Sequence, residues 1–325
     1  MRKILNPDLY HGIGKKGNFF EGWYFKLVDS KEERAYSFIP GVFLANNQNY
    51  SHAFIQLLYG KEVEYYYNKY DVKKFKWAED KFLINVEENI FSIKGIKLNI
   101  KNEDVDIKGK VLFKNVLKWP DTIINPGSMG FYNYLSFMQC YSQVCVMNMN
   151  LQGYININGE HIDFTGGKGY IEKNWGRDFP YGWIWVQCNN FINSKVSISC
   201  SIGQVPFLFG SFDGFLIGLA VGNKFYKFTT INRSHLKIWR SNEDFVIETK
   251  NKNYSLYIIA RSNKDKYFLC NGPREDAMIP LAKETLTGEV YLKLKCNKTG
   301  AILCEDKGVC AGIEYGGNVE ELIKK

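Results

Sequence analysis

The chain has 325 residues, room for one large domain or two of ordinary size. A hydrophobic content of 45% with 16% aromatic residues excludes a disordered chain. The net charge of +8 is interleaved, as in Lys101-Asn102-Glu103-Asp104, which argues against a nucleic-acid partner and leaves room for peripheral contact with an anionic membrane surface.

The N-terminal stretch MRKILNPDLY lacks the apolar run of a signal peptide, and no run of about 20 apolar residues occurs anywhere. A cytoplasmic protein is therefore expected. Gly12-Ile13-Gly14-Lys15-Lys16-Gly17 lacks the GK[ST] ending of a phosphate loop and reads as a plain loop. Phe19 to Val28 is the first predicted strand, and Tyr36–Leu44 and Ser51–Tyr59 follow it. Short strands continue through Val63–Tyr67, Lys74–Trp77, Phe82–Val86, Ile90–Ile93, Ile96–Ile100 and Asp106–Phe113. Lys118 to Gly130, with Pro120, Pro126, Gly127 and Gly130, is loop-like. Met138–Asn148 resumes the strands, and Tyr154–Phe164 reads as a hairpin about Asn158-Gly159, a pair suited to a type I′ turn.

In Gly169–Asn190, Tyr170–Lys173 is a short strand and Asn174–Gly182 a loop. Trp183–Cys188 is again a strand, with Trp183, Trp185 and Gln187 on one face. Further strands are expected at Val196–Ile202, Phe215–Ala220, Lys224–Thr229, Leu236–Trp239, Asp244–Glu248 and Tyr254–Ala260. Glu289–Cys296, Ala301–Glu305 and Val309–Tyr315 close the series. This is the rhythm of an all-β protein. Gly22-Trp23-Tyr24-Phe25 also echoes Gly182-Trp183-Ile184-Trp185, and Trp77 echoes Trp239 about half a chain later. Two tandem β-domains follow, residues 1–166 and 167–325.

Eight cysteines without a CxxC pair read as buried free thiols in a reducing compartment. His11, His52, His161 and His235 have no Cys partners in zinc spacing, so no metal is expected. His52 opens an apolar strand, as a satisfied strand histidine or a cavity-facing proton donor. The remaining chemistry lies in carboxyls near aromatic rings: Glu21 before Trp23 and Tyr24, Glu172 before Trp175, and Asp178 before Trp183. A carboxyl held against apolar rings stays protonated toward neutrality and can act as an acid. The alternative is that these are exposed charges with salt-bridge partners.

Three blocks carry a family resemblance: FFEGWYF at Phe19–Phe25, YIEKNWGRDFP…WIWVQCN at Tyr170–Asn189, and the stretch from Gly288 through Gly317. Together they resemble the tocopherol cyclase family. The resemblance implies two tandem lipocalin-like β-barrel or sandwich domains and kinship with carotenoid hydratases. It implies a cofactor-free reaction in which the double bond of a prenylated hydroquinone is protonated and the phenol oxygen closes a ring. By position it brings Glu21, Trp23, Tyr24, Glu172, Asn174, Trp175, Trp183, Trp185 and Gln187 onto the family motifs. Glu172 or Glu21 would then be the catalytic proton donor, with Asp178 to tune or orient it. Trp23, Tyr24, His52, Gln139, Tyr141, Asn174, Trp175, Trp183, Trp185 and Gln187 would bind the substrate. One strand departs from the family pattern, with Gln139 where a Glu and Ser142 where a His is expected, and this removes two proton-bearing groups. Lys, Asn and Ile richness points to an AT-rich bacterial source. The expected partner is a lipophilic small molecule, bound by a cyclase or hydratase or, as the alternative, by a carrier without chemistry.

Overall fold

The computed structural model describes residues 2–207 and 210–323. Its first unit opens with strands β1 (Phe19–Val28), β2 (Ala35–Leu44), β3 (His52–Tyr59) and β4 (Glu64–Asp71). Short strands follow: β5 (Phe75–Trp77), β6 (Leu83–Val86), β7 (Asn89–Ser92) and β8 (Gly95–Lys101). Then come β9 (Asp106–Leu117), β10 (Cys140–Ile157), β11 (Glu160–Asp163) and β12 (Lys168–Gly176). They form one antiparallel sheet in the order β4-β3-β2-β1-β12-β10-β9-β8-β7-β6-β5, with β11 paired to β10. The sheet curls until β2 and β3 touch β6, and Trp23, Phe25, Phe38, Phe91 and Ile107 fill its concave side. In the β10–β11 hairpin Asn158 and Gly159 take φ of 51° and 86°, as a type I′ turn requires.

The second unit repeats the plan with β13 (Gly182–Cys188), β14 (Asn190–Phe191), β15 (Val196–Phe207) and β16 (Gly210–Val221). It continues through β17 (Lys224–Thr229), β18 (His235–Ser241), β19 (Asp244–Lys250) and β20 (Tyr254–Arg261). It ends with β21 (Phe268–Arg274), β22 (Ala277–Cys296) and β23 (Ile302–Gly317). The order is β17-β16-β15-β13-β23-β22-β20-β19-β18, with β14 on β23 and β21 on β22. In each unit the last strand returns to pair with the first: β12 with β1, and β23 with β13. The fold is thus all-β, built as two lipocalin-like halves. Trp77 and Trp239 sit on the corresponding terminal strands β5 and β18, both partly exposed.

Two sequence expectations are corrected. The chain passes between sheets after Gly176, so β12, placed with the second half by a 166/167 boundary, lies in the first sheet. Asn174-Trp175-Gly176, expected as loop, extends this strand because Gly22, Glu21 and Phe20 of β1 pair with it in register. Turn-forming residues lose here to an available ladder of backbone hydrogen bonds.

On the core side of the first sheet, Glu21 and Lys173 are fully buried and form a salt bridge. His11 donates its backbone N–H to Glu21 Oε2 at 2.7 Å, and Lys173 Nζ donates to the Leu9 carbonyl at 2.7 Å. The ammonium also lies 4.9 Å from the Trp23 ring and 4.6 Å from the Trp175 ring. Trp175 is stacked between His11, at 4.1 Å, and Tyr141, at 5.2 Å. Burial pushes the Glu21 carboxyl up, but Lys173 and His11 outweigh it and hold the group below its ordinary value.

Removing one partner of such a pair strands a buried charge. Glu21→Gln is expected to cost about 3–5 kcal/mol in urea unfolding. Because the folded value is lowered, the stability from Glu21 is present above its ordinary value of 4.5 and is lost as pH falls through the folded value. The wild type should therefore lose its advantage over Glu21→Gln only on the acid side.

Candidate functional site

Strand alternation decides which side chains meet between the two sheets. Along β1, Phe19, Trp23, Phe25 and Leu27 face the first core, so Phe20, Gly22, Tyr24 and Lys26 face the second sheet. Along β12 the same rule sends Lys173 and Trp175 inward and Tyr170, Glu172 and Asn174 outward. Along β13, Ile184, Val186 and Cys188 enter the second core, while Trp183 and Trp185 face β1 and β12.

Between these faces lies a cavity of about 200 Å³, on the order of ten waters' worth of space and enough for a substituted organic ring. Its walls are largely aromatic and aliphatic, among them Phe20, Phe54, Met138, Phe179 and Leu216. Three carboxyls enter it: Glu172 from β12, Glu284 from β22 and Glu314 from β23. Glu172 and Glu284 are 4% and 1% exposed, which removes almost all of their hydration.

Each carboxyl is held by donors. Glu172 Oε2 accepts from Tyr170 Oη at 2.5 Å and Trp185 Nε1 at 2.8 Å, and its Oε1 accepts from Ser142 Oγ at 3.1 Å. Tyr170 is in turn 2.9 Å from Ser199 Oγ. Glu284 Oε1 accepts from Tyr24 Oη at 2.5 Å, and Glu314 Oε1 accepts from Trp183 Nε1 at 2.5 Å. Glu284 and Glu314 stand opposite each other in the β22–β23 register, and both line the cavity.

Burial raises the Glu172 carboxyl, opposed by hydrogen bonds from Tyr170, Trp185, Ser142 and Asn174. Burial and the Glu314 charge push Glu284 well above the usual carboxylate range. Burial pushes Glu314 to about 7, against the hydrogen bond from Trp183. All three can therefore hold protons in conditions where exposed carboxyls are ionised.

The cavity brings together Glu172, Tyr24, Tyr141, Asn174, Trp183 and Trp185 of the residues singled out from sequence. The others lie elsewhere. Glu21, Trp23 and Trp175 face the first core, one residue out of phase with the cavity side of their strands. Asp178 accepts the Glu275 N–H at 2.9 Å, a loop contact. His52 Nδ1 donates to the Tyr50 carbonyl at 2.8 Å and its Nε2 lies 2.8 Å from Tyr67 Oη, so both ring nitrogens are satisfied outside the cavity. Gln139 donates to the Phe179 carbonyl at 3.3 Å. Gln187 shares the face of Trp185 but accepts from the buried Lys26 at 2.8 Å, outside the cavity lining.

Glu284 and Glu314 were missed as functional residues. Glu284 lies between the predicted strands Tyr254–Ala260 and Glu289–Cys296, in a stretch with no expected element, yet β22 runs through it and through Pro280. Glu314 carried a readable signal in Gly312-Ile313-Glu314-Tyr315-Gly316. A Cβ at Gly312 would lie 2.6 Å from the Trp185 ring and one at Gly316 2.3 Å from the Trp183 ring. The two glycines seat the indoles on either side of the carboxyl.

A family model described as tocopherol cyclase-like matches residues 97–317. Curated relatives include the probable chloroplastic tocopherol cyclase of Oryza sativa subsp. japonica, 26% identical over 214 residues, which are 62% of this chain and 45% of the relative. The chloroplastic tocopherol cyclase of Zea mays is 25% identical over 199 residues, 58% of this chain and 41% of the relative. The chain spans less than half the length of these relatives. Among solved structures, CghA superposes with a TM-score of 0.60 at 9% identity, covering 91% of this chain and 87% of its own. CghA with Sch210972 gives a TM-score of 0.58 at 8% identity, covering 92% and 88%. Kievitone hydratase from Nectria haematococca gives 0.51 at 10% identity, covering 98% and 95%. These structural likenesses establish the shared fold. With its model matched over more than half of the sequence, the chain belongs to the tocopherol cyclase-like family.

Proposed function

We propose that this protein is an acid-catalysed cyclase of a prenylated hydroquinone or a similar prenyl lipid. The observation that carries the reading is the set of three carboxyls, the buried Glu172 and Glu284 and the half-buried Glu314, in a largely aromatic and aliphatic cavity between the sheets. Prenyl chains are apolar and suit such walls, while phenol hydroxyls need the few polar groups present. A carboxyl acid protonates the less substituted carbon of the prenyl double bond and leaves a tertiary cation. The phenol oxygen attacks that cation and releases its proton, so the net change is an isomerisation. The ring faces of Trp183, Trp185 and Tyr24 can stabilise the cation by up to about 2 kcal/mol each in a desolvated site. Glu21, paired with Lys173 and turned into the first core, is assigned to stability, and proton transfer is assigned to the cavity carboxyls.

The family membership and the structural likeness of CghA, a protein also solved with a small molecule, support this reading. Incubation with a prenylated hydroquinone, followed by liquid chromatography and mass spectrometry, is expected to give a chromanol of unchanged mass. Organic extraction of the purified protein should yield a prenylated phenol or quinone. Fatty acids alone, with no cyclised product in the assay, would sink the reading. Glu172→Gln should lower kcat by about 10²–10⁴-fold with substrate binding retained.

The pH dependence has a defined sign. The acid form is the active one, so kcat should fall above pH 7, the value near which Glu314 titrates. Because this carboxyl is raised from 4.5 in the folded state, its contribution to stability is full below 4.5 and is lost as pH rises through 7. Denaturation of the wild type and Glu314→Gln at pH 5 and pH 8 checks this, since only the wild type should carry that loss.

A further inference from the structure

We propose that Glu284 and Glu314 together form the proton donor of the cavity and that Glu172 is the proton acceptor, giving the two halves of the reaction to opposite sheets. This division rests on the prenyl-lipid cyclase reading above. It follows from what each carboxyl touches.

Glu284 and Glu314 are register partners on β22 and β23, and both line the cavity, so the two carboxyls stand side by side on neighbouring strands. Like charges placed so close, one of them fully buried, do not both ionise. The pair therefore retains one proton between its two carboxyls. The remaining contacts orient the pair: Tyr24 Oη donates to Glu284 Oε1, and Trp183 Nε1 donates to Glu314 Oε1.

Glu172 lacks such a neighbour: Tyr24 and Val144 are its register partners on the two flanking strands. Tyr170, Trp185 and Ser142 all donate hydrogen bonds to it, in the sense that favours the ionised form. Three donors converging on a carboxylate leave it able to accept a proton from a phenol that is losing electron density. The groups that act electrostatically on the pair are Lys26 of β1 and Glu172 of β12, while Tyr24 bonds it directly. Tyr65 of β4 and Cys270 of β21 also lie close. Lys26, buried and bonded among the described residues only to neutral acceptors, Gln187 Oε1 and the Cys310 carbonyl, offsets the single negative charge that a half-protonated pair retains.

The step balances. The carboxyl O–H breaks and a C–H bond forms at the alkene carbon from the π pair. The phenol oxygen then forms the C–O bond, and its proton passes to Glu172. After product release, exchange with water returns one proton to the pair and removes one from Glu172.

The test is turnover of a prenylated hydroquinone in D2O by the full chain, with product and recovered substrate read by mass spectrometry. The wild type should place one carbon-bound deuterium in the chromanol. Glu284→Gln and Glu314→Gln should each lower that incorporation at least 100-fold. Glu172→Gln should block ring closure while carbon-bound deuterium still enters recovered or isomerised alkene. Loss of carbon-bound deuterium in Glu172→Gln, or its retention in both pair variants, overturns the assignment. Absence of any chromanol from the wild type defeats the cyclase reading instead. Infrared spectroscopy reads the pair without turnover. A protonated-carboxyl C=O band is expected at pH 7, lost in Glu284→Gln and kept in Glu172→Gln; a band that survives in Glu284→Gln also overturns the pairing. Tight binding of a substrate analogue with a saturated side chain shows that each variant is folded.

Discussion

Two reciprocal hydrogen bonds fix how the halves of this molecule meet. Tyr24 of the first sheet donates to Glu284 of the second, and Trp185 of the second sheet donates to Glu172 of the first. Each aromatic ring spans the gap, and its polar tip donates to a carboxyl buried on the other side. Because both tips are donors and both targets are acceptors, a slide of the sheets by one residue breaks both bonds at once. The cavity is the space these bridges leave open.

The chain buries carboxyls in two ways, with different consequences. Glu21 is buried against an ammonium, so it is ionised and serves the fold. Glu172 and Glu284 are buried to a similar depth, but against neutral donors or a second carboxyl, so burial wins and each is raised. Residue type and depth are alike in both cases. The nearest charge decides.

Much of the fold was legible because short strands with polar turns leave a plain trace, as in the Asn158-Gly159 hairpin. The site was legible in part, since a motif groups residues by sequence while a strand sorts them by parity. Glu21 and Tyr24 share a motif but stand three apart on one strand, so both cannot face one cavity. The same parity divides Glu172 from Trp175 on β12. Glu284 was illegible for another reason. Its strand contains Pro280 and register shifts, which break the alternation on which strand reading depends, and its partner is supplied by a strand about 30 residues away.

The internal echo shows where the two halves differ at the cavity: the second sets Glu314 beside Glu284, the first sets Glu172 beside a valine. At a shift of 160, Trp23 aligns with Trp183, yet Trp23 fills the first core and Trp183 faces the cavity. Structure matches Tyr24 with Trp185 instead: each lies on its unit's first strand, opposite a glutamate of the last strand, Glu172 and Glu314 respectively. The residue on the far side of that glutamate differs. Glu172 faces Val144 of β10, whereas Glu314 faces Glu284 of β22. A valine leaves its neighbour a single carboxyl among donors. A glutamate at the equivalent place sets two carboxyls side by side, where each raises the other's cost of ionising. On the division of roles proposed above, this one difference between otherwise similar halves is sufficient to separate an acid from a base within a single cavity.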